Sequence, residues 1–226
     1  MEYSFDTPVV TGPLPQEDPR RWLTAAVLYT AFFSWYTSFG GPLSEQEIDK
    51  YMAFFEQRGI EPEQKRILEQ FLRSDTGDDF AMINVIDMYA TPLQVPGVEP
   101  GESSDDVLGK YMQYMYPALF ARASHPVFVG DAAASALDLM NAPEMHQWTR
   151  SALMRYRSRR DMMEITTNPA FSGSHDFKVA AMHKTIAFPL DPWFQLGDPR
   201  LVLALILTLI ALGLSWREAL AQRTVD

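Results

Sequence analysis

Two long apolar segments constrain the fold of this chain more than any other feature. Trp22–Phe39 runs for 18 residues without a charged side chain, and about that length is needed to cross a bilayer. Leu201–Leu214 has 14 apolar residues and can be extended through Trp216 and the stem of Arg217. Two uniformly apolar helices outside a complete domain have few surfaces to pack on. We therefore predict two transmembrane helices; the alternative is that each is a buried core helix.

The basic residues beside these segments predict an orientation. If both segments cross the bilayer, both chain ends lie on one side, together with Arg20, Arg21, Arg217 and Arg223. Positive charge near a span favours the cytoplasmic side. We therefore expect a protein of the cell membrane (the inner membrane in a bacterium), with both termini cytoplasmic and the intervening domain on the opposite side.

Composition excludes several kinds of site. The chain has no cysteine, so it forms no disulfide, thiolate metal site or cysteine nucleophile. The formal net charge is −10, and a nucleic-acid partner is not expected without a concentrated basic face. The one basic cluster comes at a predicted strand-to-helix turn, where we expect a solvated surface: Arg155, Arg157, Arg159 and Arg160. No zinc spacing, phosphate-binding loop or nucleophile elbow occurs, so no metal is expected and neither a cofactor nor a reaction is indicated.

The segment between the apolar stretches has the pattern of one α+β domain. Ser44 and Glu47 form a capping box that starts a helix, and Pro62 starts another. From residue 80 the order is strand, helix, strand, strand, helix, strand, with strands near 80–89, 126–129, 148–156 and 184–188. That order is the ferredoxin-like unit, in which four antiparallel strands carry two helices on one face. The other face then requires a second copy, the N-terminal helices or another protein as its cover.

These features predict a division of the chain into seven parts. They are an N-terminal tail (1–19), a transmembrane helix (20–39), a helical connector (40–61), the ferredoxin-like domain (62–190), a linker (191–198), a second transmembrane helix (199–218) and a C-terminal tail (219–226).

Three strings of the sequence resemble the dimeric α+β-barrel superfamily. They are FAMINVIDMY, KYMQYMYPALFARASHPVFVG and WTRSALMRYRSRRDMMEITTNPAFSGSHDFKVAAMHKT. The chain looks closest to the small uncharacterised stand-alone members, and MRYRSRRDMMEITTNPAF is the most specific part. The resemblance covers roughly Pro62 to Phe188. It leaves the terminal apolar helices and the loop over 91–104 outside the usual plan of that superfamily.

The resemblance implies a ligand pocket between the sheet and the helices. The superfamily includes haem-degrading monooxygenases, haem peroxidase-like enzymes, cofactor-free quinone-forming monooxygenases and lactone isomerases. In the haem degraders a histidine four residues after an aromatic residue binds iron, as His175 follows Phe171 here, and Asn84 resembles their distal asparagine. Their tryptophan ten residues before that histidine is replaced by Ile165. Together with Trp148, Asn84 and His175 are the candidate ligand-binding residues.

Three functions remain open at this point. The first is a membrane-anchored accessory or scaffold protein, whose partner is an integral membrane protein or a second copy. The second is a membrane-tethered monooxygenase or isomerase acting on a hydrophobic small molecule, such as a haem- or quinone-like compound. The third is a sensor or carrier that binds such a molecule without turnover. The lack of a recognisable catalytic set favours the first, since a fold does not determine a function.

Overall fold

The computed structural model describes residues 18–169 and 173–223 of the chain. The helices are α1 (Pro19–Tyr36), α2 (Glu45–Gln57), α3 (Pro62–Arg73), α4 (Ser104–Ala121), α5 (Arg159–Thr166), α6 (His175–Ala181) and α7 (Pro199–Arg223). The strands are β1 (Phe80–Met88), β2 (His125–Asp131), β3 (Arg150–Tyr156) and β4 (Met182–Leu190). The described chain divides into two compact units, a central unit over 33–197 and a terminal unit made of 18–32 and 198–223.

The four strands form a single antiparallel sheet in the order β2-β3-β1-β4. β1 lies inside the sheet, where Asn84 pairs with Ala152 of β3 and Ala187 of β4. With the chain order βαββαβ, this arrangement confirms the expected α+β, ferredoxin-like topology. β4 is longer than predicted, because its pairing with β1 continues to Leu190, opposite Ala81.

The main core packs α2, α3, α4 and α5 onto one face of the sheet. Phe80 stacks on Tyr156 with ring centroids 5.4 Å apart, and Ile48 of α2 is buried in the same cluster. The capping box of Ser44 and Glu47 is confirmed at the start of α2. α2, which falls within the helical connector predicted over 40–61, therefore packs in the central core.

The basic cluster at the β3–α5 turn is not the solvated surface that the sequence suggested. Arg155 and Arg159 are only 3% and 6% exposed. Each arginine of the cluster has a carboxylate partner within 4.0 Å, in the pairs Arg155–Asp79, Arg157–Asp161, Arg159–Asp75 and Arg160–Glu47. All of these pairs except Arg157–Asp161 join β3 and α5 to the preceding helices and loops. The prediction was wrong because charge alone does not show which carboxylates lie nearby.

α1 differs from the predicted N-terminal span at both ends. It covers Pro19–Tyr36 instead of 20–39, with Arg20 and Arg21 in its first turn. Tyr36 in its last turn is 2% exposed. The apolar stretch between these ends is shorter than the roughly 20 residues that a span requires. An N-terminal span therefore remains a prediction.

α7 is the apolar helix that agrees best with a membrane span. In the part of the chain that the structure describes, Pro199–Ala221 is the one helical segment long and apolar enough to cross a bilayer. Leu205, Leu209 and Leu212 are between 49% and 68% exposed. Such a surface is unusual for the core helix of a soluble domain.

Candidate functional site

A cavity of about 420 Å³ lies between the sheet and the helices of the central unit. Its volume is in the range of small-molecule sites, roughly 300–1,000 Å³. Its walls come from all four strands and from helices α4, α5 and α6. The residues that line it include Met82, Asn84, Ile86, Leu108, Gly109, Tyr111, Met112, Met115, Arg150, Ala152, Met154, Tyr156, Met162, Thr166, Lys178 and Met182.

The strand pattern explains which side chains reach this cavity. Successive side chains of a strand point to opposite faces, so Met82, Asn84 and Ile86 of β1 share the helix-facing side. Ala152 is the partner of Asn84 on β3 and is too small to fill the space beside it. Gly109 leaves further room on α4, because a Cβ added there would meet no atom within 4 Å.

Methionines make up much of the apolar wall. Met112 and Met115 come from α4, Met154 from β3 and Met162 from α5. Methionine side chains are unbranched and polarisable, so they adapt to ligands of different shape. The wall therefore suits hydrophobic ligands of more than one shape.

Four buried or half-buried polar groups in the cavity lack a hydrogen-bond partner among the described residues. The hydroxyls of Tyr111 and Tyr156 and the ammonium of Lys178 form no hydrogen bond or ion pair with residues 18–169 or 173–223. The amide nitrogen of Asn84 donates to the carbonyl of Met82 at 3.2 Å, whereas its side-chain oxygen accepts nothing in that part of the chain. These groups are available to a polar part of a ligand.

Burial changes the acidity of these groups. It raises the pKa of Tyr111 to about 12, and it raises the pKa of Tyr156 as well. Both phenols are therefore neutral hydrogen-bond donors at neutral pH. Burial also lowers the pKa of Lys178, since a buried ammonium loses its hydration.

The structure brings only one of the three predicted ligand-binding residues into the cavity. Asn84 lines it. The Trp148 indole N–H donates to the carbonyl of Met145 at 2.9 Å, and the ring lies under the Lys184 ammonium at 4.8 Å; Trp148 is not part of the lining. His175, the first residue of α6, is exposed and also lies outside the lining. A ligand-binding role of these residues remains a prediction.

The arrangement does not fit the haem site that the resemblance implied. His175 does not reach the cavity, and desolvation followed by the ammonium of Lys178 lowers the pKa of its imidazole. Phe171, the aromatic residue of that motif, lies outside the described residues. Within residues 18–169 and 173–223, no three His, Asp or Glu side chains form a group that could hold a metal ion.

Sequence reasoning missed the three buried or half-buried residues that join Asn84 as unpartnered polar groups of the cavity, namely Tyr111, Tyr156 and Lys178. Helical spacing placed Tyr111 on the inward side of α4, and that signal identified it only as a core residue. Tyr156 belongs to the string that carried the family resemblance. Lys178 follows His175 by three residues, and nothing in its local sequence distinguishes it from a solvated lysine.

Comparisons of this chain with known proteins found similarity of fold alone. No family model matches the chain, and no curated protein matches it. A protein of unknown function from Rhodopseudomonas palustris is 18% identical, with 58% of this chain and 95% of that chain covered and a TM-score of 0.47. A dimeric ferredoxin-like protein of unknown function from Jannaschia sp. CCS1 is 10% identical, covering 50% and 99%, with a TM-score of 0.32.

A third solved structure is that of SnoaB, a cofactor-independent oxygenase from Streptomyces nogalater. It is 10% identical, covers 54% of this chain and 99% of that chain, and has a TM-score of 0.32. Similarity at this level does not extend to activity. What this chain does is therefore inferred from its own residues.

Proposed function

We propose that this is a membrane-anchored protein whose ferredoxin-like domain binds a hydrophobic small molecule in the cavity beside Asn84. The observation that carries this proposal is a methionine-rich cavity of about 420 Å³ that contains unpartnered polar groups. A concave apolar site with a few polar groups directed at one ligand is the usual form of a small-molecule site. Such binding suits a sensor or a carrier.

The membrane anchor is supported by the sequence around the start of α7. The preceding linker exposes Trp193, Phe194 and Leu196 at 94%, 68% and 76%. Aromatic residues at the end of an apolar helix are typical of the boundary between hydrocarbon and water. We infer that α7 crosses the bilayer and that this linker lies at its surface.

The proposed orientation keeps both termini in the cytoplasm. Arg21 near the start of α1 forms an ion pair with Glu218 near the end of α7, so these two ends lie side by side in the terminal unit. Arg217 lies beside that ion pair in the sequence, and positive charge favours the cytoplasmic side. For the central domain to lie on the opposite side of the cell membrane, α1 has to cross the bilayer together with α7.

Gly109 offers the sharpest test of the cavity. In Gly109→Leu the added side chain would extend into the open space beside α4 and compete with a ligand. Gly109→Ala is the matched control, because it fills little of the cavity and is expected to stabilise the helix by about 0.5–1 kcal/mol. We expect full-length protein in lipid nanodiscs to bind a fluorescent naphthalene probe, and Gly109→Leu to weaken this binding at least tenfold.

Equal probe binding by the Gly109→Leu and Gly109→Ala variants would contradict a ligand site in this cavity. A ligand that copurifies from native membranes provides a second readout. Recovery of that ligand unchanged after incubation with the protein supports a sensor or carrier, whereas its conversion supports the monooxygenase or isomerase alternative.

A second candidate function is an accessory subunit of a membrane complex. The observation that favours it is the exposure of apolar residues around α7, including Leu205, Leu209 and Leu212, since such a surface could pack on another integral protein. Blue-native gels of native membranes test this function. A band much larger than a homodimer supports it, and a band of monomer or homodimer contradicts it.

A homodimer through the sheet is a further proposal about partners. The face of the sheet away from the cavity exposes Phe128 at 57%, Phe188 at 45% and Leu190 at 38%. Apolar side chains that share a face are commonly covered by a partner. Light scattering after chromatography in detergent would show twice the chain mass if a second copy covers this face.

A further inference from the structure

Lys178 brings a positive charge into the cavity without a carboxylate to balance it. It projects from α6 into the lining, and its ammonium has no ion pair or hydrogen bond with any residue that the structure describes. Its pKa is lowered by burial alone. An ammonium has three donors and no acceptor, so this group can donate to an electron-rich partner from outside the described chain.

The other charged residues of the lining cannot supply that partner. Arg150 and Asp105 line the cavity too, but they form an ion pair with each other at 2.8 Å. Arg150 also binds Asp131 at 2.8 Å. The Asp105 carboxylate is therefore already committed to Arg150, and Lys178 supplies the unbalanced charge of the lining.

We propose that the ligand of this cavity is a hydrophobic carboxylic acid, held as its carboxylate by the ammonium of Lys178. This inference rests on the proposed function, because it names the chemical class of the molecule that the cavity binds. A charged group taken out of water is stabilised when it meets an opposite charge through a hydrogen bond. The methionine wall contacts the apolar body of the acid.

Two probes of the same shape separate charge from hydrophobicity. 2-Naphthoate and 2-naphthamide share an aromatic body, and only the first carries a negative charge at neutral pH. Binding is measured by fluorescence with the full-length protein in lipid nanodiscs, with empty nanodiscs as the blank for partition into lipid. We expect the wild-type protein to bind naphthoate roughly tenfold more tightly than naphthamide.

Substitutions of Lys178 then test whether this residue causes the preference for naphthoate over naphthamide. Lys178→Met retains most of the apolar stem and is expected to abolish the preference for naphthoate, with naphthamide binding within about twofold of wild type. Lys178→Arg keeps the charge and is expected to retain the preference. Lys65→Met removes the same charge from an exposed position on α3, outside the cavity, and is expected to change neither affinity.

The outcomes separate this inference from the function on which it rests. Equal affinity for both probes, or a preference that persists in Lys178→Met, overturns the carboxylate assignment. If Gly109→Leu still abolishes binding of the probes in that case, the cavity remains a ligand site, but its ligand is not a carboxylate. Failure of both probes to bind, or binding that is insensitive to Gly109→Leu, overturns the proposed function and this inference together.

Discussion

The guanidinium carbon of Arg155 lies 3.6 Å from the centroid of the Tyr36 ring. The same guanidinium donates to the backbone carbonyl of Tyr36 at 2.9 Å and to that of Ala123 at 2.7 Å. The hydroxyl of Tyr36 in turn lies 2.6 Å from Nε2 of His125. A single buried arginine thereby attaches the last turn of α1 to the edge of the sheet where β2 begins and β3 ends.

The loss of Arg155 is expected to destabilise the central domain strongly. Arg155→Met removes an ion-pair partner of Asp79, which lies 2.8 Å away, and the guanidinium hydrogen bonds to the carbonyl groups of Tyr36 and Ala123. Breaking a buried ion pair in this way costs about 3–5 kcal/mol. Urea unfolding of the full-length protein in detergent, followed by tryptophan fluorescence, measures the change in unfolding free energy.

Arg73 provides the matched control for this measurement. It pairs with Glu45 and Glu69, but it is a surface residue, with 44% of its side chain exposed. Arg73→Met is therefore expected to cost about 1 kcal/mol or less. Similar losses in the two variants would contradict the structural role of Arg155.

Two glycines that both have a positive φ are expected to differ in how well they tolerate substitution by alanine. Gly77 has φ +86° and Gly41 has φ +64°, so alanine is strained at both positions by roughly 1–2 kcal/mol. A Cβ at position 77 would also lie 2.4 Å from the carbonyl carbon of Gly41, whereas one at position 41 would meet nothing within 4 Å.

Gly77→Ala is therefore expected to cost about 3 kcal/mol or more, against about 1 kcal/mol for Gly41→Ala. Thermal unfolding monitored by circular dichroism gives the ranking of the two variants. If they melt together, the close approach of the α3–β1 turn to the α1–α2 connector is not maintained in solution.

The acid stability of the domain is expected to depend on Glu47. Hydrogen bonds from Arg160 and from the backbone of Ser44 lower the pKa of its carboxyl from 4.5 to about 2. Because the pKa is lower in the folded state, this stabilisation is present above about pH 4.5 and is lost as the pH falls towards 2.

Glu47→Gln is the test, since glutamine also serves in a capping box but does not ionise. The side chain of Glu47 is 33% exposed, so we expect its charge to contribute only about 1 kcal/mol at neutral pH. Urea unfolding between pH 2 and pH 7 should show the wild-type advantage disappearing in acid. A constant difference between the two proteins across that range would argue against the lowered pKa.

A charge in α7 is expected to weaken membrane association. Leu209 lies near the middle of the candidate span and is 68% exposed, so arginine there would be tolerated if α7 faced water. Within a bilayer it costs about 2.5–3.5 kcal/mol. Leu209→Arg should therefore lower the fraction of protein that floats with membranes in a density gradient.

Leu137→Arg is the corresponding control in the central unit. Leu137 is 96% exposed in the β2–β3 connection, and the same substitution there should leave flotation unchanged. If Leu209→Arg floats as well as the wild-type protein, α7 does not cross the membrane.

Local patterns in the sequence predict much of the fold. The β-branched and aromatic string from Phe80, the capping box at Ser44 and the apolar run from Leu201 each determine a local conformation through their own side chains. The ferredoxin-like topology follows because strands and helices in this chain order can pack together in only a few ways. Asn84 became a candidate through the family resemblance rather than through a local pattern, and the packed sheet places it in the cavity.

Other features depend on residues far apart in the chain, and tertiary structure alone decides them. The pairs Arg155–Asp79 and Arg160–Glu47 join segments 76 and 113 residues apart, so the arginine cluster could not be distinguished from a solvated surface. Trp148 and His175 had plausible local contexts, yet the paths of the β2–β3 connection and of α6 leave both outside the cavity. Lys178 became a candidate only in the packed domain, because folding buries its ammonium and pairs Arg150 with Asp105. Both effects depend on which side chains come within a few ångströms of each other.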